Sequence, residues 1–362
     1  MSGARAEVGV VSNRAEALTL PRPALLVIEP IEKYLDARGF GSGPLRWRRI
    51  GDGQSNITFL IERDGLVLVL RRGPRPPLPP SAHDMVREAR IQQAAAAAGL
   101  PVAKILDICE DLDLLGVPFY LMEFVDGLVI TDELPEQFHD PLEHRAISES
   151  AVLTLAQLHR ADVSAGPLAQ LGKSEGYLSR QVKRFSALWP GNTQRELPLF
   201  DRLSDWLAGH LPESSDAALV HGDYRIGNLL YAPHCPARVN CVLDWEMSTL
   251  GDPLADLGYF LATYSAPGEQ ATPLDLTPVT ANPGFPNRSQ LAKLYQAETG
   301  RSIDNLPWYQ ALALWKGAVF CEAIYSRWLR GERPEDTSFA PGLASGVPRL
   351  LEAARQTLEL EL

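Results

Sequence analysis

At 362 residues the chain is longer than one hydrophobic core usually supports, which predicts two lobes. With 45% hydrophobic and 22% charged residues, its composition is that of an ordinary globular protein and excludes a fibrous or disordered chain. A net charge of −11, from 34 basic and 45 acidic residues, argues against a general nucleic-acid binder and leaves cationic or small polar ligands open.

Residues 1–22 are weakly patterned and are expected to be loose. Leu25 to Leu35 carries apolar residues at helical spacing (Leu26, Ile28, Ile31, Leu35) and stops at Gly39. From Leu45 the period shortens to that of strands: Trp47 to Ile50, Asn56 to Arg63 and Leu66 to Arg71, the last two joined by the hairpin signal Asp64-Gly65. A proline-rich run, 74–80, cannot be helical. A helix is expected from about His83 to Ala98, capped by Ser81 and ended by Gly99 and Pro101. Ile105 to Cys109 and Val117 to Phe124 complete a small antiparallel sheet with one long helix. Beyond Gly127 the chain leans helical, over 143–160, about 174–189, 197–210, 288–299, 306–329 and 343–360, with loops at 266–286 and 331–348. The fold class is α+β in two lobes. A nucleotide-binding lobe is expected over 23–125, and a larger, mainly helical catalytic and substrate-binding lobe over 126–362.

Cys109, Cys235, Cys241 and Cys321 are widely separated and form no CxxC, so they read as reduced, mostly buried thiols of a cytoplasmic protein. Cys235 and Cys241 could approach across a hairpin, but a zinc site needs two more ligands. Scattered charge at Arg5, Glu7 and Arg14 is unlike a signal peptide, and no apolar run approaches a membrane span, so no membrane association is expected.

The chemistry concentrates in one stretch. Apolar Leu219-Val220 delivers His221-Gly222-Asp223, and Asn228 follows five residues after Asp223. A second apolar run, Val239 to Leu243, delivers Asp244. Phosphoryl transfer from a nucleotide needs a carboxylate facing the acceptor hydroxyl and a few hard oxygen ligands for Mg²⁺. Asp223 suits the first role, and Asn228 and Asp244 suit the second. His221 is expected to support the loop, and Asp252 and Asp256 to cap a helix and tie loop backbone.

In the small lobe, Gly51-Asp52-Gly53-Gln54-Ser55-Asn56 is either an ordinary glycine turn or a phosphate-covering one, with Gly51, Gly53, Ser55 and Asn56 at the nucleotide. Arg71 is either a phosphate-contacting strand cation held by Glu88 of the next helix, or an edge charge like Arg72. Met122, Glu123 and Phe124, leaving a strand toward Gly127, could offer backbone groups to a base edge.

H-G-D-x-x-x-x-N followed by L-D-W-E and G-D-P-x-x-D-L closely resembles the aminoglycoside phosphotransferase/choline kinase-like superfamily, over roughly Leu45 to Tyr264. The resemblance implies a bilobal protein-kinase-like fold, with Asp223 catalytic, Asn228 and Asp244 on Mg²⁺, Glu88 pairing with Arg71, and an adenine hinge at Met122–Phe124. V-L-R-R-G-P, a proline-rich run and A-H-D-x-x-x-E are similar to the subgroup found alone or fused to acyl-CoA dehydrogenases, in which Arg often replaces the usual Lys. The expected activity is Mg²⁺-dependent transfer of the γ-phosphoryl of ATP or GTP to a small-molecule hydroxyl. The acceptor is aminoglycoside-like, an amino alcohol or a hydroxyacyl-CoA; the alternative is a weakly active nucleotide sensor or scaffold. A cationic acceptor would meet Glu332, Glu335 and Asp336; a phosphate-bearing one would meet Lys173, Arg180, Lys183 and Arg184.

Overall fold

Two compact units divide the chain, Met1–Val125 and Asp126–Leu362, in a computed structural model that describes residues 9–51, 56–76, 83–213, 216–332 and 336–360. In chain order the first holds β1 (Val10–Val11), α1 (Arg14–Leu18), β2 (Leu26–Val27), α2 (Ile28–Ala37), β3 (Arg46–Ile50), β4 (Ile57–Arg63), β5 (Leu66–Arg72), α3 (Met85–Ala97), β6 (Ile105–Cys109), α4 (Leu112–Leu115) and β7 (Phe119–Glu123). Five of its strands form an antiparallel sheet in the order β3-β4-β5-β7-β6.

Side-chain alternation gives that sheet two occupied faces. Phe59, Ile61, Leu68, Leu70, Phe119 and Leu121 pack with Leu26, Ile31 and Leu35 on one face. On the other, Tyr120 packs against Met85 and Ala89 of α3. The same parity separates two adjacent arginines. Arg71 pairs with Thr58 and Tyr120 in register and emerges on the α3 face. Arg72 points the opposite way, is completely buried, and donates to the carbonyls of Ala24, Leu25 and Leu115.

Residues 9–22, expected to be loose, carry structure. Val10 and Val11 pair in parallel with Leu26 and Val27, and Val10 is fully buried in the sheet's core. A two-residue strand is too short to show a period, which is why the sequence pattern misses it. It also takes Leu26 out of the expected helix, which begins at Ile28. Asp84 caps α3 through the Arg87 N–H at 2.9 Å; Ser81, the expected cap, lies outside the described residues.

The second unit holds β8 (Leu128–Val129), α5 (Pro141–Arg160), α6 (Tyr177–Asn192), α7 (Pro198–Gly209), β9 (Ala218–Val220), β10 (Leu229–Tyr231), β11 (Val239–Val242), β12 (Thr249–Gly251), α8 (Leu254–Ala262), α9 (Arg288–Thr299), α10 (Leu306–Leu329) and α11 (Leu343–Thr357). Helix α6 runs through Pro190 to Asn192, beyond the expected end at 189. The long helix α10 is central, packing against α6, α8 and α11. Its Trp315 stacks on Phe200 of α7 at 5.1 Å, and Phe200 stacks on Trp189 of α6 at 3.8 Å. The crossing of α8 with α10 is close: a Cβ on Gly258 would lie 2.6 Å from Tyr309. The short strands pair as β9 with β12 and as β11-β10-β8, both antiparallel, and their ends carry the site.

Candidate active site

Strand β9 ends at Val220, and the backbone turns at once through His221 and Gly222. Both N–H groups of that turn donate to one carboxylate, Asp256 of α8: His221 to Oδ2 at 2.6 Å and Gly222 to Oδ1 at 2.8 Å. Asp256 is buried, and burial opposes its ionisation. The side chain of His159, the nearby His221 and the Gly222 N–H outweigh that and hold its carboxyl below the usual range. The His221 ring is buried beneath the loop with Nε2 2.8 Å from the Leu243 carbonyl, which ties the Asp223 loop to the end of β11. Gly222 has φ +87, and a Cβ there would sit 2.8 Å from the Met247 carbonyl oxygen. No other residue type fits that turn without strain.

Asp223 follows, part-exposed. The amide of Asn228 grips it twice, Nδ2 lying 2.8 Å from both the Asp223 carbonyl and its Oδ2. The Oδ1 of Asn228 accepts no hydrogen bond from any described residue, so the better metal-ligating atom of this amide is the one left over. The Leu243 N–H donates to the Asn228 carbonyl at 2.9 Å, which sets Asp244 one residue from this contact. Asp244 has φ 64 and ψ 65, a left-handed backbone that costs a non-glycine residue roughly 1–3 kcal/mol and is typical of functional turns. The carboxamide oxygen of Asn228 and the Asp244 carboxylate are the hard oxygen donors a magnesium ion takes, since it binds few protein ligands and keeps several waters. Among the described residues no group of three or more His, Cys, Asp or Glu is placed to hold a metal ion.

Two neighbours of Asp223 escape sequence reasoning. The Arg225 Nε lies 3.8 Å from Asp223 Oδ1, and Tyr259 of α8 sits beside the same carboxylate. Burial first, then the Asp223 charge, keeps the Tyr259 phenol protonated. Arg225 lies inside the motif but has no helical or strand period to mark it, and of α8 the sequence marks only the start, where Asp252 Oδ1 accepts the Leu254 N–H at 3.0 Å.

In the first unit, the α3 face of the sheet carries a connected set. Arg71 Nε donates to Glu88 Oε1 at 2.9 Å, and the Tyr120 hydroxyl donates to the same oxygen at 3.0 Å. Gln92 Nε2 donates to Tyr120 at 2.8 Å, and Asn56 Nδ2 reaches Glu88 Oε2 at 3.4 Å. The Nδ1 of His83 lies 3.0 Å from Asn56 Oδ1. Glu88 is 1% exposed, so its charge depends on this company. Asn56, expected at the nucleotide turn, thus points to Glu88 and His83. Gly51 is exposed with φ +73, while Gly53 and Ser55 lie outside the described residues. Met122 and Glu123 end β7, with the Glu123 carboxylate accepting the Lys104 N–H at 3.0 Å, and Phe124 follows at 39% exposure.

The fold is of the kinase-like phosphotransferase type. The chain belongs to the phosphotransferase enzyme family, whose model matches residues 46–281. It is 35% identical over 346 residues to acyl-CoA dehydrogenase family member 10 of Mus musculus, covering 92% of this chain and 31% of that protein. The chain therefore spans about a third of that relative's length. A candidate aminoglycoside phosphotransferase from Ralstonia eutropha, known from its crystal structure, is 32% identical with a TM-score of 0.76, covering 91% of this chain and 98% of that one. A thermostable mutant of aminoglycoside phosphotransferase APH(4)-Ia, solved with AMP-PNP and hygromycin B, shares the fold at a TM-score of 0.57 and 17% identity, covering 90% and 98%. No helix among the described residues is long and apolar enough to cross a membrane.

Proposed function

We propose that the chain is a small-molecule kinase that moves the γ-phosphoryl group of ATP, or GTP, to a hydroxyl. The observation that carries this reading is the double grip of Asn228 on Asp223, which fixes the carboxylate and leaves Asn228 Oδ1 available. Asp223 accepts a hydrogen bond from the acceptor hydroxyl and aims its oxygen at the γ-phosphorus. The new O–P bond forms as the bond from that phosphorus to the β,γ-bridging oxygen breaks, and the hydroxyl proton passes to Asp223. Asn228 Oδ1 and the Asp244 carboxylate would hold Mg²⁺, which supplies charge neutralisation at the phosphate oxygens. Arg71, kept straight by Glu88, would meet the α- and β-phosphates, Gly51 with Gly53 and Ser55 would cover them, and Met122–Phe124 would face the base. An adenine nucleotide analogue bound to the 17%-identical neighbour supports the nucleotide half of this reading.

The test is ³¹P NMR of ATP and Mg²⁺ with a panel of alcohols, using wild type and Asp223→Asn. Transfer should drop by about 10²–10⁴-fold in the variant, with nucleotide binding by calorimetry retained. Near-normal turnover by Asp223→Asn would refute the role given to it. Wild-type protein that binds ATP but phosphorylates no alcohol would favour a nucleotide sensor instead.

A further inference from the structure

Helix α8 braces the Asp223 turn at one end and reaches a different place at the other. Its last residue, Ala262, lines a cavity of about 430 Å³ together with Gln310 and Leu314 of α10, Arg349 of α11, and Asp275 of the loop between α8 and α9. Asp256 and Ala262 are six residues apart, about 9 Å along the helix axis. The loop that presents Asp275 is a fixed wall. A Cβ on Gly317 of α10 would lie 3.2 Å from Leu274, and one on Gly346 of α11 would lie 2.6 Å from Pro273, so the loop is seated against both helices.

Arg349 is half-buried, and its Nε is fully buried with no hydrogen-bond partner. Its guanidinium forms no ion pair with any described residue. Buried donors are nearly always satisfied, and a guanidinium carries five of them. The other guanidinium on the lining, Arg288, is used: it donates to the Tyr264 carbonyl and pairs with Glu269 at 2.7 Å. Glu352 is likewise paired, with Arg355 at 2.6 Å. Asp275 differs, because its Oδ2 accepts only the Thr272 N–H at 2.5 Å and its Oδ1 has no partner among the described residues. The Gln310 amide is also without a side-chain partner among them. One cavity is thus lined by an unmatched guanidinium and an unmatched carboxylate oxygen that do not pair with each other.

We propose that this cavity binds a zwitterion of amino-acid size, its carboxylate on the Arg349 fork and its ammonium on Asp275 and Gln310. The whole lining carries three carboxylates, Glu269, Asp275 and Glu352, against two guanidiniums, which disfavours a multiply charged anion such as phosphate. The ligand is distinct from the phosphoryl acceptor, and the proposal is independent of the kinase reading, since no lining residue belongs to the loops of Asp223, Asn228 and Asp244. The charges that the sequence offers to an acceptor take no part here. Glu332 is held by Arg327 and Arg330, Arg180 is spent on the carbonyls of Lys173 and Glu175, and Glu335 lies outside the described residues.

The experiment compares the full chain as wild type, Arg349→Gln and Asp275→Asn. Asn can still accept the Thr272 N–H, so that variant keeps the loop in place. The probes are the standard amino acids, the methyl ester and the N-acetyl derivative of any that binds, and inorganic phosphate. Binding is read without nucleotide, by NMR titration and by the rise in melting temperature. Wild type should bind at least one amino acid saturably, and at least about 10-fold more tightly than either blocked derivative. Arg349→Gln should lose the preference for the free acid over the ester, and Asp275→Asn the preference for the free amine over the N-acetyl form. A merely structural role would not divide the two preferences in this way. Each variant tests its own half, so misfolding of one leaves the other decisive. Saturable binding of no amino acid, blocked derivatives that bind as tightly as free ones, or wild-type discrimination in both variants would overturn the proposal. Tighter binding of phosphate than of every amino acid would overturn it too, in favour of a simple anion site.

Discussion

Gly222 is the residue on which the geometry of Asp223 turns. A side chain there meets the Met247 carbonyl at 2.8 Å and its Cβ at 2.9 Å, and the backbone is left-handed at φ +87. Gly222→Ala should therefore lower stability by about 1–3 kcal/mol in a urea melt. Because the strain falls next to Asp223, turnover should fall further than stability alone explains, by up to about 10²-fold for a displacement near 1 Å. At this scale the motif residues are legible because H-G-D-x-x-x-x-N is contiguous. Arg225 and Tyr259 are not, because their significance depends on which distant side chain they end up beside. Asn56 shows the limit from the other side: its place near a glycine turn suggested a ligand contact, whereas its side chain joins Glu88 and His83.

Among elements, α8 decides how firmly the site is held, since its Asp256 takes both N–H groups of the turn and also contacts His159 Nε2 at 3.3 Å. Burial keeps the His159 imidazole below its ordinary value, and Asp256 is likewise held below its own. Both shifts have the same sign for stability. The unfolded chain protonates His159 near 6.5 while the folded chain resists, so stability is full above that pH and erodes as pH falls through it. Asp256 adds a second loss, beginning only below the ordinary 3.8 of an aspartate. Urea melts from pH 8 to 4 should show stability declining for the wild type, and His159→Gln should flatten that decline between pH 7 and 5. A slope unchanged by that substitution would remove His159 from the explanation.

The legibility of elements follows their length and one-sidedness. The sheet strands β3 to β7 and helices α9 and α10 are read from the sequence almost to the residue. Helix α8 is nine residues long and buried nearly all round, so it has no stripe to read. The pairing of β1 with β2 rests on two residues each. Such segments are fixed by what surrounds them rather than by their own pattern.

Over the whole molecule, each unit has its own sheet or helical core, and under the proposed reading each would supply separate groups: Arg71 and Glu88 from the first, Asp223, Asn228 and Asp244 from the second. If Mg²⁺ joins nucleotide to the second unit, ATP should raise the melting temperature only when the metal is present. Stabilisation by a ligand at about 100 times its Kd is roughly 2.7 kcal/mol, and EDTA should remove it. An equal rise with ATP and EDTA would show that Asn228 and Asp244 bind no required ion. Asp244→Ala should reproduce the EDTA result without chelator.

The neighbouring guanidiniums of β5 carry a further implication for how this lineage can vary. One side chain grips Glu88 and its successor anchors the leading segment, and only the parity of the count along the strand tells them apart. Losing or gaining a single codon within β5 would exchange their destinations, sending a fork meant for carbonyls toward a carboxylate and the reverse. Point changes can drift there; shifts of frame in steps of one residue cannot, and the hairpin at Asp64-Gly65 is where length is free to change.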